Sequence, residues 1–174
     1  MQNLKIHCSK FQLMLFGLLA ILCLFNSCTR TVQNEKDRLA LLESITRDRT
    51  AHYTTSAALL LEDALDSFIS VSNAQVKVSS LEERMKFFDR NFDGAVYSKW
   101  DYVQEPIVRI SNDGSMAWVI SKVEVRRTKI DANGVTKPEG FIYAGIMTYK
   151  KVDDQWKKEA NVSTFEPLPD SVLR

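Results

Sequence analysis

Cysteine is confined to positions 8, 23 and 28, and Thr29–Arg174 contains none. A disulfide framework and a thiolate metal site are therefore excluded from that stretch. Histidine is nearly absent too: His52 is the one imidazole after residue 28. One histidine without cysteine argues against a zinc site and Asp153-Asp154 is too short for a calcium loop, so no metal is assigned, with a carboxylate site for a harder cation left open. The six glycines never fall into a phosphate-cradling spacing, and no nucleophile elbow or paired-histidine motif occurs. No cofactor is expected. Charge of one sign is also lacking. Only Lys5 and Lys10 of the 23 basic residues precede Thr29, leaving 21 against 22 acidic ones. That balance carries no footprint for nucleic acid.

What is present starts with an apolar run. Lys5 and Lys10 precede Phe11–Phe25, which is almost wholly apolar, and Asn26-Ser27-Cys28 then gives way to polar Thr29-Arg30-Thr31. A charged start, an apolar stretch and a small residue before the cut describe a secretory signal. The run is short for a bilayer span, which needs roughly 20 residues. Ser27-Cys28 resembles the end of a bacterial lipoprotein signal, in which the cysteine becomes the lipidated first residue. Phe25 and Asn26 are bulkier than usual there, and an uncleaved anchor is the alternative. The expectation is a domain exported to the bacterial cell envelope and held on the periplasmic or outer-surface side of a membrane. In that setting the sequon Asn161-Val-Ser163 means little.

The division expected is a signal over 1–28 ending at Cys28, a tether over 29–35, one domain over 36–166 and a tail over 167–174. Leu39, Leu42, Ile45, Arg49, His52 and Tyr53 recur at helical spacing, and a second helical stretch covers Thr55–Leu65. Phe68–Ser72 alternates as a strand, and Gln75–Val78 returns as a hairpin arm. Ser80-Leu-Glu-Glu83 has capping-box spacing and opens a helix carrying Leu81, Met85, Phe88 and Phe92. Ala95–Glu105, Ile107–Ser111, Met116–Ile130, Phe141–Val152 and Trp156–Phe165 read as antiparallel strands. The turns between them are Asn112-Asp-Gly114, Asp131–Gly134 and Asp153–Gln155. Helices first, then hairpin-linked strands, is an α+β order: a curved antiparallel sheet covered on one side by helices.

Phe68-Ile-Ser-Val-Ser-Asn73, the helix Glu83–Phe92, the segment Trp100–Trp118, and Phe141–Tyr149 with the turn before Trp156 together resemble the nuclear transport factor 2-like superfamily. The resemblance is to its SnoaL-like and ketosteroid-isomerase-like small domains and covers about residues 36–166. It implies a cone-shaped, cystatin-like curved sheet wrapped on N-terminal helices, with a pocket at its open end. It also implies homodimers that form through the outer sheet face. Both faces of Phe141–Val152 and Met116–Val125 are apolar, which agrees with two covered faces.

Catalytic relatives would place a titratable group inside the cone. His52, beside Tyr53 on the first helix, is the candidate base, or an ordinary core histidine; Tyr143 is the candidate donor. Tyr97, Tyr102 and Tyr149 share the donor chemistry, and Asp93, Asp101 and Glu105 are solvated alternatives near strand ends. Tyr53, Phe88, Phe92, Trp100, Trp118, Met147 and Asn161 are the candidate ligand contacts. The aromatic group Phe88, Phe92, Trp100 and Trp118 either lines a pocket or fills the cone, and three aromatic residues within Phe87–Phe92 favour filling. The leading expectation is binding of a small apolar or amphipathic ligand, or of a protein partner, without catalysis. The alternatives are an isomerase, dehydratase or cyclase, and a structural dimerisation module.

Overall fold

The computed structural model describes residues 33–130 and 133–172. The signal and Cys28 lie outside them, as does part of the turn Asp131–Gly134. Two units divide the chain at Asp37. Among the described residues of the first, Gln33 Nε2 donates to Asp37 Oδ1 at 3.2 Å. The second unit, Arg38–Arg174, holds the sheet and most of the helix that precedes it. No described helix is long and apolar enough to cross a membrane.

Helix α1 occupies residues 33–53. A short α2 (Ala57–Leu61) follows, its N-cap Ser56 accepting from the Leu59 amide. It is shorter than the spacing predicts, because strand β1 (Ala64–Ser72) already begins at Ala64. Asn73 and Ala74 both take positive φ, the mirror-image turn that matches strand twist, and return the chain as β2 (Gln75–Ser80). Ser80 then caps α3 (Leu81–Phe92) through the full capping box with Glu83. The remaining strands are β3 (Ala95–Tyr102), β4 (Ile107–Ile110), β5 (Met116–Ile130), β6 (Thr136–Val152) and β7 (Gln155–Pro167).

These seven strands form one curved sheet in the order β2-β1-β7-β6-β5-β3, with β4 also on β5. The antiparallel expectation holds for every pair except one. β7 runs parallel to β1, so the sheet is mixed. The meander β5-β6-β7 delivers its last strand to the edge left open by the β1-β2 hairpin, and there it points the same way as β1.

The inner face packs on the helices. Leu41 and Ile45 of α1 meet Ala117, Val119, Tyr149 and Trp156, while Ala51, Ala57 and Leu60 meet Phe92, Ala95, Tyr97, Val123 and Val125. The buried stripe of α1 is rotated from the predicted one: Leu41, Ser44 and Ile45 are buried, and Leu39 and Tyr53 are exposed.

The outer face carries one straight cross-strand row. Ile107 opposes Ile120, then Ile146, Val162, Val71 and Val76, one β-branched residue on each of six strands. At ~4.8 Å per strand the row is about 24 Å long. Ile146 is 39 % exposed, Val162 47 % and Val76 71 %.

Candidate functional site

A cavity of about 880 Å³ opens between the inner sheet face, α1 and α3. That volume lies in the range of small-molecule sites, roughly 300–1,000 Å³. The cone is therefore not filled, contrary to the bulk of its aromatic residues. Their directions differ. Phe88 and Trp100 line the cavity, and Phe87 lies at its wall with about half its surface exposed. Phe92 is buried behind His52, and Trp118 lies on the outer face.

The floor is polar and built around Lys158. Along β7 the inward residues are Asn161 and Ser163, of odd number, and simple alternation would turn Lys158 outward. A bulge intervenes: Thr148 opposes Ala160, but Tyr149 opposes Lys158, so Glu159 is the extra residue. It turns Lys158 and Trp156 inward. The Lys158 side chain is 1 % exposed. Its ammonium pairs with Asp48 Oδ1, with Asp63 Oδ1 at 2.8 Å and with the Leu60 carbonyl at 3.1 Å. Two of its N–H groups are spent on Asp48 and the Leu60 carbonyl, whereas the Asp63 Oδ1 contact is an ion pair without a hydrogen bond. Asp63 Oδ2 accepts from Ser44 Oγ at 2.5 Å and from Arg47 Nη2 at 3.4 Å. Ser44 Oγ also lies 3.3 Å from Tyr149 Oη.

Asp48 differs from Asp63 in facing the cavity. Only its Oδ1 is bonded by the protein, to Lys158. Burial lifts its carboxyl from 3.8 to about 6, against the pull of Lys158. One turn on, His52 stacks on Trp100 with ring centroids 3.4 Å apart, and Phe92 and Tyr97 contact it edge-on at 5.4 Å. Its Nδ1 is 2.7 Å from the Asp48 carbonyl, so Nδ1–H donates and Nε2 is an acceptor. Burial pushes its pKa down to about 4, which keeps the ring neutral.

Opposite, Tyr143 Oη accepts from Asn161 Nδ2 at 2.8 Å, which leaves the phenol proton to donate. Gly145 makes room for this ring: a Cβ there would sit 2.8 Å from Tyr143 Cζ and 2.8 Å from the Val162 carbonyl oxygen. Higher up, Arg127 Nη1 donates to Tyr97 Oη at 2.8 Å and Nε to Glu139 at 2.8 Å. Tyr102 Oη is spent on the Ile45 carbonyl at 3.1 Å. Among the described residues no cluster could hold a metal ion.

Of the residues singled out by sequence, His52, Tyr143, Phe88, Trp100, Met147 and Asn161 line this one cavity. Tyr53, Phe92 and Trp118 do not. Tyr53 points outward, and its Oη accepts from the Trp100 amide at 2.9 Å. Asp48, Lys158 and Arg84 also line it and escaped notice. Asp48 had a legible signal, three residues after Ile45 and four before His52.

No family model matches the chain, and no curated protein does either. Solved structures do. A ketosteroid isomerase-like protein from Erwinia carotovora atroseptica aligns with a TM-score of 0.56 at 15 % identity, over 73 % of this chain and 94 % of that one. A nuclear transport factor 2-like protein from Cytophaga hutchinsonii gives 0.55 at 17 %, over 73 % and 96 %. Another, from Novosphingobium aromaticivorans and described as having a cystatin-like fold, gives 0.57 at 13 %, over 78 % and 86 %. The chain is thus a small α+β domain with a helix-backed, curved and unclosed sheet around a cavity. Its fold is the nuclear transport factor 2-like, cystatin-like one.

Proposed function

We propose that this is an exported, membrane-tethered domain whose cone binds a small, largely apolar molecule bearing an oxygen function. The observation that carries the reading is the cavity itself: aromatic walls of Phe88, Trp100 and Phe141, with the Tyr143 hydroxyl oriented by Asn161. Apolar walls with a few oriented polar groups are what a small-molecule site requires. 2-Naphthamide, a flat neutral probe with one carbonyl, is expected to bind the full-length protein in calorimetry. Tyr143→Phe is expected to weaken it about fivefold, the worth of one hydrogen bond. Met147→Trp, which fills the cavity from the β6 wall, is expected to abolish binding. Equal affinity in wild type and Met147→Trp would sink the reading. The tether predicts palmitate labelling that Cys28→Ser removes; labelling that survives Cys28→Ser would refute it.

A second reading has a specific observation behind it. Asp48, at the cavity wall with a carboxyl near 6 and an Oδ2 that no protein donor holds, is suited to accept a proton at neutral pH. Tyr143 is suited to donate to the oxygen that gains charge. His52 is a weaker base than Asp48, because burial has lowered its affinity for a proton. The reaction class is proton abstraction beside a carbonyl, as in an isomerase.

The six-residue row on the outer face supports a homodimer. A two-fold axis through its middle would lay the row on its own copy, a self-complementary contact. Light scattering is expected to give twice the chain mass, and Ile146→Lys to halve it. A wild type already monomeric at high concentration would end that proposal.

A further inference from the structure

The cavity has a second polar flank where α3 faces the β1-β2 hairpin, within electrostatic range of Asp48 and Asp63 but not paired with them. Arg84, in the first turns of α3, lines it together with Lys77, Ser79 and Ser70. The Arg84 guanidinium lies over the Phe68 ring, 3.6 Å from its centroid. That contact occupies one face of the plane and leaves the N–H edge unspent. Nη1 is buried and has no hydrogen-bond partner. No ion pair within 4 Å reaches Arg84 or Lys77 among the described residues. Glu83, the carboxylate of this flank, is turned back onto Ser80, whose amide and hydroxyl it binds at 2.8 and 3.3 Å. Asp48 and Asp63 already share Lys158, and Asp63 has Arg47 besides. With no acceptor of the protein on it, a guanidinium at the cavity wall is a donor set that a ligand acceptor would satisfy through its accessible N–H groups.

We infer that the ligand is a carboxylate: its anionic group pairs with the Arg84 guanidinium, and its apolar body lies along Phe88 and Trp100 toward Tyr143. This rests on the cone being a ligand site and names the class of molecule it takes. Burial lowers Arg84 only to about 10, so it stays charged at neutral pH. A carboxylate matches the guanidinium edge, and a charge-assisted pair inside a cavity is stronger than a neutral one. Lys77 adds positive potential on the same flank.

The test compares 2-naphthoate with 2-naphthamide, nearly isosteric and differing by one charge, on the full-length protein by calorimetry. Wild type is expected to bind the naphthoate at least about tenfold more tightly. Arg84→Gln is expected to erase that preference, and its circular dichroism and urea midpoint report that the variant is folded. Arg84→Lys is expected to keep part of the preference. Equal affinity of wild type for the two probes overturns the carboxylate assignment and leaves the cavity reading standing. A preference that persists in Arg84→Gln overturns the role of Arg84. Failure of both probes to bind wild type overturns the cavity reading and the assignment with it.

Discussion

Lys158→Met is expected to cost about 3–5 kcal/mol of stability, the usual penalty for removing one partner of a buried ion pair. Methionine fills a similar volume, so lost packing is a minor part. The penalty comes from Asp48 and Asp63, two carboxylates that share one ammonium and would then face each other without it. Arg47 reaches Asp63 only at 3.4 Å and is itself shared with Glu62. Domains of this size hold only about 5–15 kcal/mol in total, so the variant would lie near its unfolding threshold. Urea unfolding at neutral pH measures the loss. Adding Asp48→Asn and Asp63→Asn to Lys158→Met is expected to recover much of it, since no buried charge is then stranded. A single variant that loses less than about 1 kcal/mol would mean that the floor is hydrated and the ions are screened.

Asp48→Asn is expected to lower exchange of the protons beside the carbonyl of 2-tetralone by about a hundredfold or more, the weight of a general base. In wild type the rate is expected to rise with pH and to level off above about 6, because the carboxyl must lose its proton before it can take one. Exchange that is undiminished in Asp48→Asn would remove Asp48 from the chemistry and leave binding alone. Stability moves with the opposite sign. The folded carboxyl keeps its proton up to about 6 and the unfolded one only to about 3.8, so this group makes stability fall as pH rises between those values. His52 opposes it. The unfolded ring takes a proton below 6.5 and the folded ring only near 4, so its contribution is complete above 6.5 and is lost as pH falls toward 4. Asp48→Asn removes one slope and exposes the other, so that variant is expected to be more acid-sensitive than wild type over this range.

Local chemistry was legible in the chain, and long-range geometry was not. The hydroxyl and carboxylate of Ser80 and Glu83 announce a helix start, and the structure has both hydrogen bonds of the box. Asp153 and Asp154 announce a turn and take positive φ. The alternation of Phe141, Tyr143, Met147 and Tyr149 put one strand face toward a common interior, and all four line the cavity. Lys158 could not be read in the same way, because its direction depends on a bulge visible only once β6 and β7 are in register. The parallel pairing of β1 and β7 joins segments roughly ninety residues apart, and no local signal encodes it. Trp118 has the aromatic character of a pocket residue but sits one place along the strand from Ala117 and Val119, and that single step put it on the far side. Asp48 carries no apolar signal, because the face of α1 that continues from Ile45 turns polar where it reaches the site.

The place of β7 has a consequence for how the molecule comes into being. It follows the other described strands in the chain, yet it lies between β6 and β1 and holds the two halves of the sheet together. Lys158, which pairs with Asp48 of α1 and with Asp63 of the turn before β1, arrives with it. A chain that has emerged as far as β6 has Asp48 without its paired ammonium, Asp63 with Arg47 alone, and a hairpin with an open edge. Such a chain stays loose until its final strand is free. If the domain is exported, as proposed above, that delay keeps the chain loose while it passes through a membrane pore, because the strand that locks the structure follows the others.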